Sequence, residues 1–295
     1  MPRAGGAPRP PRLPASLAVA RSISLLGVAV ALLVAAAPAS AQSGGTPLPG
    51  PGDPCPASYP GDEAGREAIA RWMARGAALR DVPEALPVMA GLAESGLRNL
   101  HQKGNPFAGF FSMHRSLNKA PYKGFKKDPD LQLRWFLDTA VIVRQRKLAE
   151  GHEDYGVDPS SYGIWIADVE RPTPQNRSGY QPYLDDAEKL LPNPCRPSSF
   201  EPDAKAPGLR VTASARQRDA ITLTARCPRE SCLVGARAEP TRRVRAAAAV
   251  ESDGAAVTLT LPARTRRSAR LTVTVTAVDE AGNAARKRER ITLLR

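Results

Sequence analysis

Apolar residues recur at helical spacing through the first part of the chain and at alternating spacing in its last third, and this change of period divides the protein. Residues 62–79 predict a helix whose apolar face is Ile69, Trp72, Met73 and Leu79, with Gly65 and Gly76 weakening it. A second helix is predicted to start near Asp81, whose side chain can cap free backbone amides. Pro83 sits just inside, where a missing N–H costs nothing. Its stripe is Val82, Leu86, Met89, Ala90, Ala93 and Leu97. At about 100° per residue Glu94 falls roughly 40° beyond Ala90, on the border of the buried stripe. The Glu94 carboxyl is therefore expected to be half sheltered.

After Gly96 the helical period stops. The stretch 101–127 is rich in Gly, Asn, Lys and aromatics and reads as loops and short extended pieces held down by Phe107, Phe110 and Phe111. A long helix is predicted from Asp128 to about Glu150, burying Leu131, Trp135, Phe136, Ala140, Ile142 and Val143. Shorter helical pieces are expected at 161–169 and 175–191, and Pro192, Pro194 and Pro197 then break the chain. Beyond 206 the segments LRVTASA, ITLTARC, CLVGARA, VTLTLPA and RLTVTVTAV alternate and are separated by turn residues, which predicts about seven strands in a β-sandwich.

The N-terminus adds an address. Arg3, Arg9, Arg12 and Arg21 precede and flank an apolar run over 23–37, and Ala39-Ser40-Ala41 closes it, the order of a secretory signal peptide cleaved after Ala41. The run is shorter than the roughly 20 apolar residues of a membrane span, so no stable transmembrane anchor is expected. Residues 42–60 are Pro, Gly and Ser rich and read as a linker. Four cysteines suit an exported protein, and the preferred pairing is Cys55 with Cys195 and Cys227 with Cys232. The C-x-x-x-x-C spacing lacks neighbouring histidines, and His114 and His152 have no ligand-set spacing, so no metal is expected. No phosphate cradle or cofactor fingerprint is present either, and no cofactor is expected.

The formal charge of +13 is unevenly placed. Residues 42–205 hold 20 basic and 21 acidic side chains, whereas 206–295 hold 18 basic and 8 acidic ones, all but Lys287 of the cations being arginine. Export argues against nucleic acid. An anionic cell-wall polymer, a membrane surface and a merely solvated surface all remain open as explanations of this Arg-rich part.

The segment AGLAESGLRNL, from Ala90 to Leu100, resembles the catalytic signature of lysozyme-like lytic transglycosylases, in which a helix ends in Glu-Ser-Gly. GNPFAGFFSMH, DPDLQLRWFLDTA and WIADVERP follow in the order found in exported actinobacterial members, so the likeness covers about 62–191. The tail VTVTAVDEAGNAARKRERITLL resembles the last hairpin of bacterial immunoglobulin-like domains, with Glu280-Ala281-Gly282-Asn283 as its turn. Together these imply a multi-domain chain: a mainly α lysozyme-like domain over 61–195, a linker over 196–206, and an all-β immunoglobulin-like sandwich over 207–295. The sandwich would be a spacer or wall-adhesion module.

The resemblance implies cleavage of the MurNAc–GlcNAc bonds of peptidoglycan glycan strands, by a secreted and cell-wall-associated monomer. Glu94 would be the catalytic acid, since partial burial keeps a carboxyl protonated until it can protonate a leaving oxygen. After protonation the sugar's own 6-hydroxyl can attack the anomeric carbon, Glu94 removing its proton, to leave a 1,6-anhydro end. A hydrolytic version needs a second carboxylate to activate water, and Asp168 and Glu170 are the candidates. Both also fit ion pairs with Arg171 or Arg177. Ser95 would orient the acid or touch sugar, and Gly109, Phe110, Phe111 and Ser112 would line the cleft. Tyr122, Tyr162 and Trp165 are candidates for stacking on sugar faces, with core packing as their alternative. Two positions depart from the family: Ser112 stands where glutamine is usual, and Asn105 where an acid is usual. They motivate a second reading, a catalytically inactive glycan-binding protein.

Overall fold

The computed structural model of the protein describes residues 55–101, 103–239, 244, 246–263 and 268–294. The expected signal peptide over 1–41 and the linker as far as residue 54 lie outside the described residues. Helix α1, Arg66–Ala78, begins four residues later than the apolar pattern suggests, because Gly61 at φ 105 and Gly65 at its N-cap hold the preceding chain in turns. Helix α2, Ala85–Ser95, is capped at Glu84 rather than Asp81. Asp81 sits at φ 50 in the tight turn between the helices, and its carboxylate accepts from Arg196 at 2.9 Å instead of from backbone amides.

The loop stretch then folds into a two-stranded antiparallel hairpin, β1 Phe107–Ala108 and β2 Met113–His114, and two single 3-10 turns. Helix α3, Pro129–Ala149, starts as its sequence dictates: the Asp128 carboxylate accepts from the Leu131 amide at 3.2 Å, with proline at the first position. Helix α4, Tyr162–Glu170, follows. The expected helix over 175–191 is broken by Pro174, Gly179 and Pro182 into 3-10 turns at Pro174–Gly179 and Gln181–Tyr183, leaving only α5, Leu184–Leu190.

Strands β3 Arg210–Ala213, β5 Ala220–Arg226 and β8 Val257–Pro262 form one sheet. Strands β4 Arg216–Arg218, β10 Ala284–Leu294, β9 Ala269–Val278, β6 Ser231–Glu239 and β7 Ala247–Asp253 form the other, in that order. Alternate residues such as Ile221, Leu223, Leu259, Leu261, Val273 and Val275 meet in one core between the two sheets. β4 pairs with β10 in parallel, while the other pairs of the two sheets are antiparallel.

This architecture corrects the expected fold class. The described residues form a mixed α and β protein, with five α-helices against ten strands, and the region before 196 is not a mainly α lysozyme-like domain. The reason is local. Gly, Pro and Asn between α2 and α3 and after α4 cannot sustain a helical period, so long stretches there are hairpin, turn and loop. The sandwich also touches the helical part. The Arg144 guanidinium donates to the carbonyls of Asp81 and Glu280, and Gln145 donates to the Val278 carbonyl, so α3 lies directly on the sheet. Gly235 allows this approach, since a methyl group there would sit 2.2 Å from the Ala149 carbonyl oxygen.

Both expected disulfides are present, Cys55–Cys195 and Cys227–Cys232. The first closes a long loop and therefore removes much chain entropy from the unfolded state, on the order of 5 kcal/mol in the chain-entropy account. Two disulfides are what an oxidising compartment permits. No helix among the described residues is long and apolar enough to cross a membrane.

Candidate functional site

Three short-range events place the candidate acid. Helix α2 ends at Gly96, in the left-handed region at φ 66, where its amide and that of Leu97 close the last turn onto the Leu92 and Gly91 carbonyls. Glu94 is thus in the final turn, half-buried, facing a cavity of about 520 Å³. The Tyr180 hydroxyl donates to Glu94 Oε1 at 2.6 Å. The other Glu94 carboxyl oxygen has no hydrogen-bond partner among the described residues.

Helix α4 ends beside it. Pro172 disfavours the helical conformation for the residue before it, and Arg171 turns to φ 53, which leaves Glu170 on the last turn lining the same cavity. The residue as a whole is half-buried, but Glu170 Oε1 is sealed from solvent without a hydrogen-bond partner. Burial first, and the nearby Glu94 charge second, push the Glu170 carboxyl well above its ordinary value of 4.5, so its neutral form is favoured. Tyr180 is raised as well, by burial, by its bond to Glu94 and by the charges of Glu94 and Glu170, and so keeps its proton as a donor.

Asp168, two residues earlier, does something different. Burial opposes its charge, yet hydrogen bonds from Arg177, Tyr155 and Lys147 outweigh that and hold it below the ordinary carboxylate range. It is the structural ion pair, made with Arg177 rather than Arg171, and it does not line the cavity.

Several residues expected at the cleft belong to the core. Phe110 is fully buried against Tyr59 and Trp72, and Phe111 is stacked on Phe136 at 4.7 Å. Trp165 is fully buried, its indole donating to the Ala140 carbonyl at 3.1 Å. Tyr162 packs half-buried on the same core, and the Tyr122 hydroxyl donates to Asp138, its pKa pushed up to about 12, chiefly by burial. Ser95 is also buried and donates to the Gly91 carbonyl at 2.9 Å, tying down its own helix rather than touching the cavity. Gly109, at φ 80, makes room for the buried Gln132, whose carbonyl accepts from the Phe110 amide. For Phe110, Phe111 and Trp165 the physical reason is shared: a large aromatic gains more by full burial than at a wet rim, and periodicity alone does not tell the two apart.

Ser112 does line the cavity, at φ 45, and donates to the Glu94 backbone carbonyl at 3.3 Å. Asn105 sits in the hairpin entry, accepting from the Phe107 amide at 2.9 Å. Of the three histidines, His114 caps a 3-10 turn and packs on Phe107, and His101 and His152 are exposed.

Phe107, Arg171, Asn176 and Tyr180 line the cavity, although the sequence placed none of them at a cleft. Phe107 is the exposed aromatic there, 47% accessible, and offers an apolar face at the rim. Its one sequence-level signal is its place in a Gly-rich hairpin. Tyr180 had no signal, being 86 residues from Glu94. Gly163 seats its segment on α4: the Gly163 amide donates to Gln181 Oε1 at 2.7 Å, and a methyl group at 163 would lie 2.7 Å from the Gln181 backbone nitrogen. Gly163→Ala is therefore expected to push residues 179–183 outward and cost about 1–3 kcal/mol by overpacking, read as a lower melting temperature.

No protein-family model matches the chain, and no curated protein matches it. Among solved structures it is similar to the crystal structure of the YadV chaperone, at 14% identity over 29% of this chain, with a TM-score of 0.25. The match spans about half, 51%, of that chaperone chain. A likeness that weak carries no argument about fold or function.

Elsewhere, oxygens of Asp203, Glu230 and Asp279 lie within 4.8 Å of one another. Each already accepts from a backbone amide, of Lys205, Gly208 and Asn283 respectively, so the trio staples loops together.

Proposed function

We propose that the protein is an exported glycosidase of the lytic transglycosylase type that cleaves MurNAc–GlcNAc bonds in peptidoglycan glycan strands, at the cell wall. The observation that carries this reading is the pairing of two glutamates in one cavity, one held by a tyrosine hydroxyl and the other favouring its neutral form. Burial beside the Glu94 charge favours the protonated form of the Glu170 carboxyl. Glu94, which faces the cavity, would donate a carboxyl proton to the bridging oxygen. Glu94 would then take the proton of the sugar's 6-hydroxyl as that oxygen closes on the anomeric carbon and the leaving sugar departs.

Internal attack by the 6-hydroxyl needs no second carboxylate to activate water, and a 1,6-anhydro product follows from it. The two disulfides support action in an oxidising compartment, as export requires. A second reading, binding of glycan without turnover, draws support from Ser112, whose hydroxyl is engaged by the Glu94 carbonyl where the family carries a glutamine side chain.

Digestion of purified peptidoglycan followed by mass analysis of the soluble fraction tests both. Anhydro-ended muropeptides support the proposal. Reducing ends would instead assign Glu170 to water activation, and retention on the insoluble wall with no soluble product would favour the binding protein.

A further inference from the structure

The strand register converts the arginine bias of the last third into a surface. On β10 the residues Ala285, Ile291 and Leu293 turn inward to the core, so Arg286, Arg288, Arg290 and Thr292 lie on the outer face. Their partners on β9 are Thr276, Thr274, Thr272 and Arg270, and on β4 Arg216 stands beside Thr292 with Arg218 beside Leu294. Arg286, next to the helical region, is paired with Glu153 at 3.4 Å. Arg288, Arg290, Arg270, Arg216 and Arg218 are exposed and make no ion pair among the described residues. Glu289 turns to the opposite face, and the outer-face acid nearest in register is Glu239 on β6, two strands away from Arg290.

We propose that this outer face of β4, β10 and β9 binds a linear phosphodiester polymer of the polyol-phosphate type. Alternate residues on a strand are about 6.7 Å apart and neighbouring strands about 4.8 Å apart. Arg288, Arg290, the Arg216–Arg270 row and Arg218 therefore form a track of roughly 20 Å with a cation at every step. An extended chain of phosphates separated by a short polyol has a repeat of that order. Guanidinium groups recognise phosphate oxygens with paired N–H donors, and Thr272, Thr274 and Thr292 add hydroxyls between them.

Other polyanions fit less well. No aromatic lies on these three outer rows, so the bases of a single-stranded nucleic acid would find nothing to stack on. None of the exposed large apolar residues, Phe107, Ile142, Val157, Ile164 and Val250, belongs to these strands, so a membrane surface would gain no insertion there. The inference stands apart from the glycan-cleaving reading, since it uses none of the cavity residues.

Titration of the full chain with synthetic poly(glycerol phosphate), followed by fluorescence anisotropy at several salt concentrations, tests it. Binding should weaken with salt, and the triple substitution Arg216→Gln, Arg288→Gln, Arg290→Gln should reduce affinity by roughly tenfold or more. Removing three exposed cations elsewhere, Arg66→Gln, Arg146→Gln, Arg226→Gln, should change it less than about twofold if position rather than net charge decides. Equal loss in both triples would overturn the proposal. So would an equal or higher affinity for single-stranded DNA of matched charge or for phosphatidylglycerol vesicles, or no binding of the polymer by the folded wild type.

Discussion

Glu94→Gln is expected to lower the release of soluble muropeptides from peptidoglycan by about 10²- to 10⁴-fold, the range general acid–base groups supply. Glutamine keeps the size of the side chain and an oxygen for the Tyr180 hydroxyl, so the cavity and the fold should persist. What is lost is the transferable proton. The variant should still bind the insoluble wall, and its melting temperature should stay close to that of the wild type. A variant that digests as fast as the wild type would remove Glu94 from the chemistry and with it the proposed function. Coupling gives a further sign of the same pair: with the Glu94 charge gone, one cause of the raised Glu170 proton affinity disappears, and Glu170 should titrate lower in the variant.

Glu170→Gln is expected to separate stability from activity. In the wild type the folded state holds the Glu170 proton to a higher pH than the unfolded chain does. Below the ordinary carboxyl value of 4.5 both states are protonated and the group has no effect. As pH rises past that point the unfolded chain releases its proton while the folded state keeps it, so stability falls until the folded value is passed and is then level. Glutamine, neutral at every pH, has no such loss. Melting curves should therefore show the variant at least as stable as the wild type at neutral pH, with the gap closing below about pH 4.5. Activity should move the other way, by roughly tenfold or more, with the alkaline limb of the pH–rate profile displaced. A purely structural glutamate would leave the profile and the rate unchanged. A functional group retained at a cost in stability is common at catalytic sites.

Much of the local structure is written in the order of residues. The Asp128-Pro129 start of α3, the stop of α2 at Gly96, and the alternation of β5, β8 and β9 each follow from short-range chemistry. So does the position of Glu94 in the last turn of its helix, at the edge of the buried stripe. Where proline and glycine interrupt, as over 174–183, helical periodicity overreached, because backbone restrictions outrank side-chain pattern. The fold class erred for a related reason: motifs in the right order do not determine how much of the intervening chain is helical.

Tertiary packing alone decided the rest. Glu94, Glu170 and Tyr180 come from three distant segments, and only the docking of α4 and the 179–183 turn against α2 brings them to one cavity. Phe110, Phe111 and Trp165 are apolar by sequence, but whether an apolar side chain faces a core or a cleft depends on what stands opposite it. The arginine track is the same lesson in β-structure. Composition reveals the excess of charge, whereas strand register determines that the unpaired cations share a face, since a shift of one residue would turn every one of them to the other side.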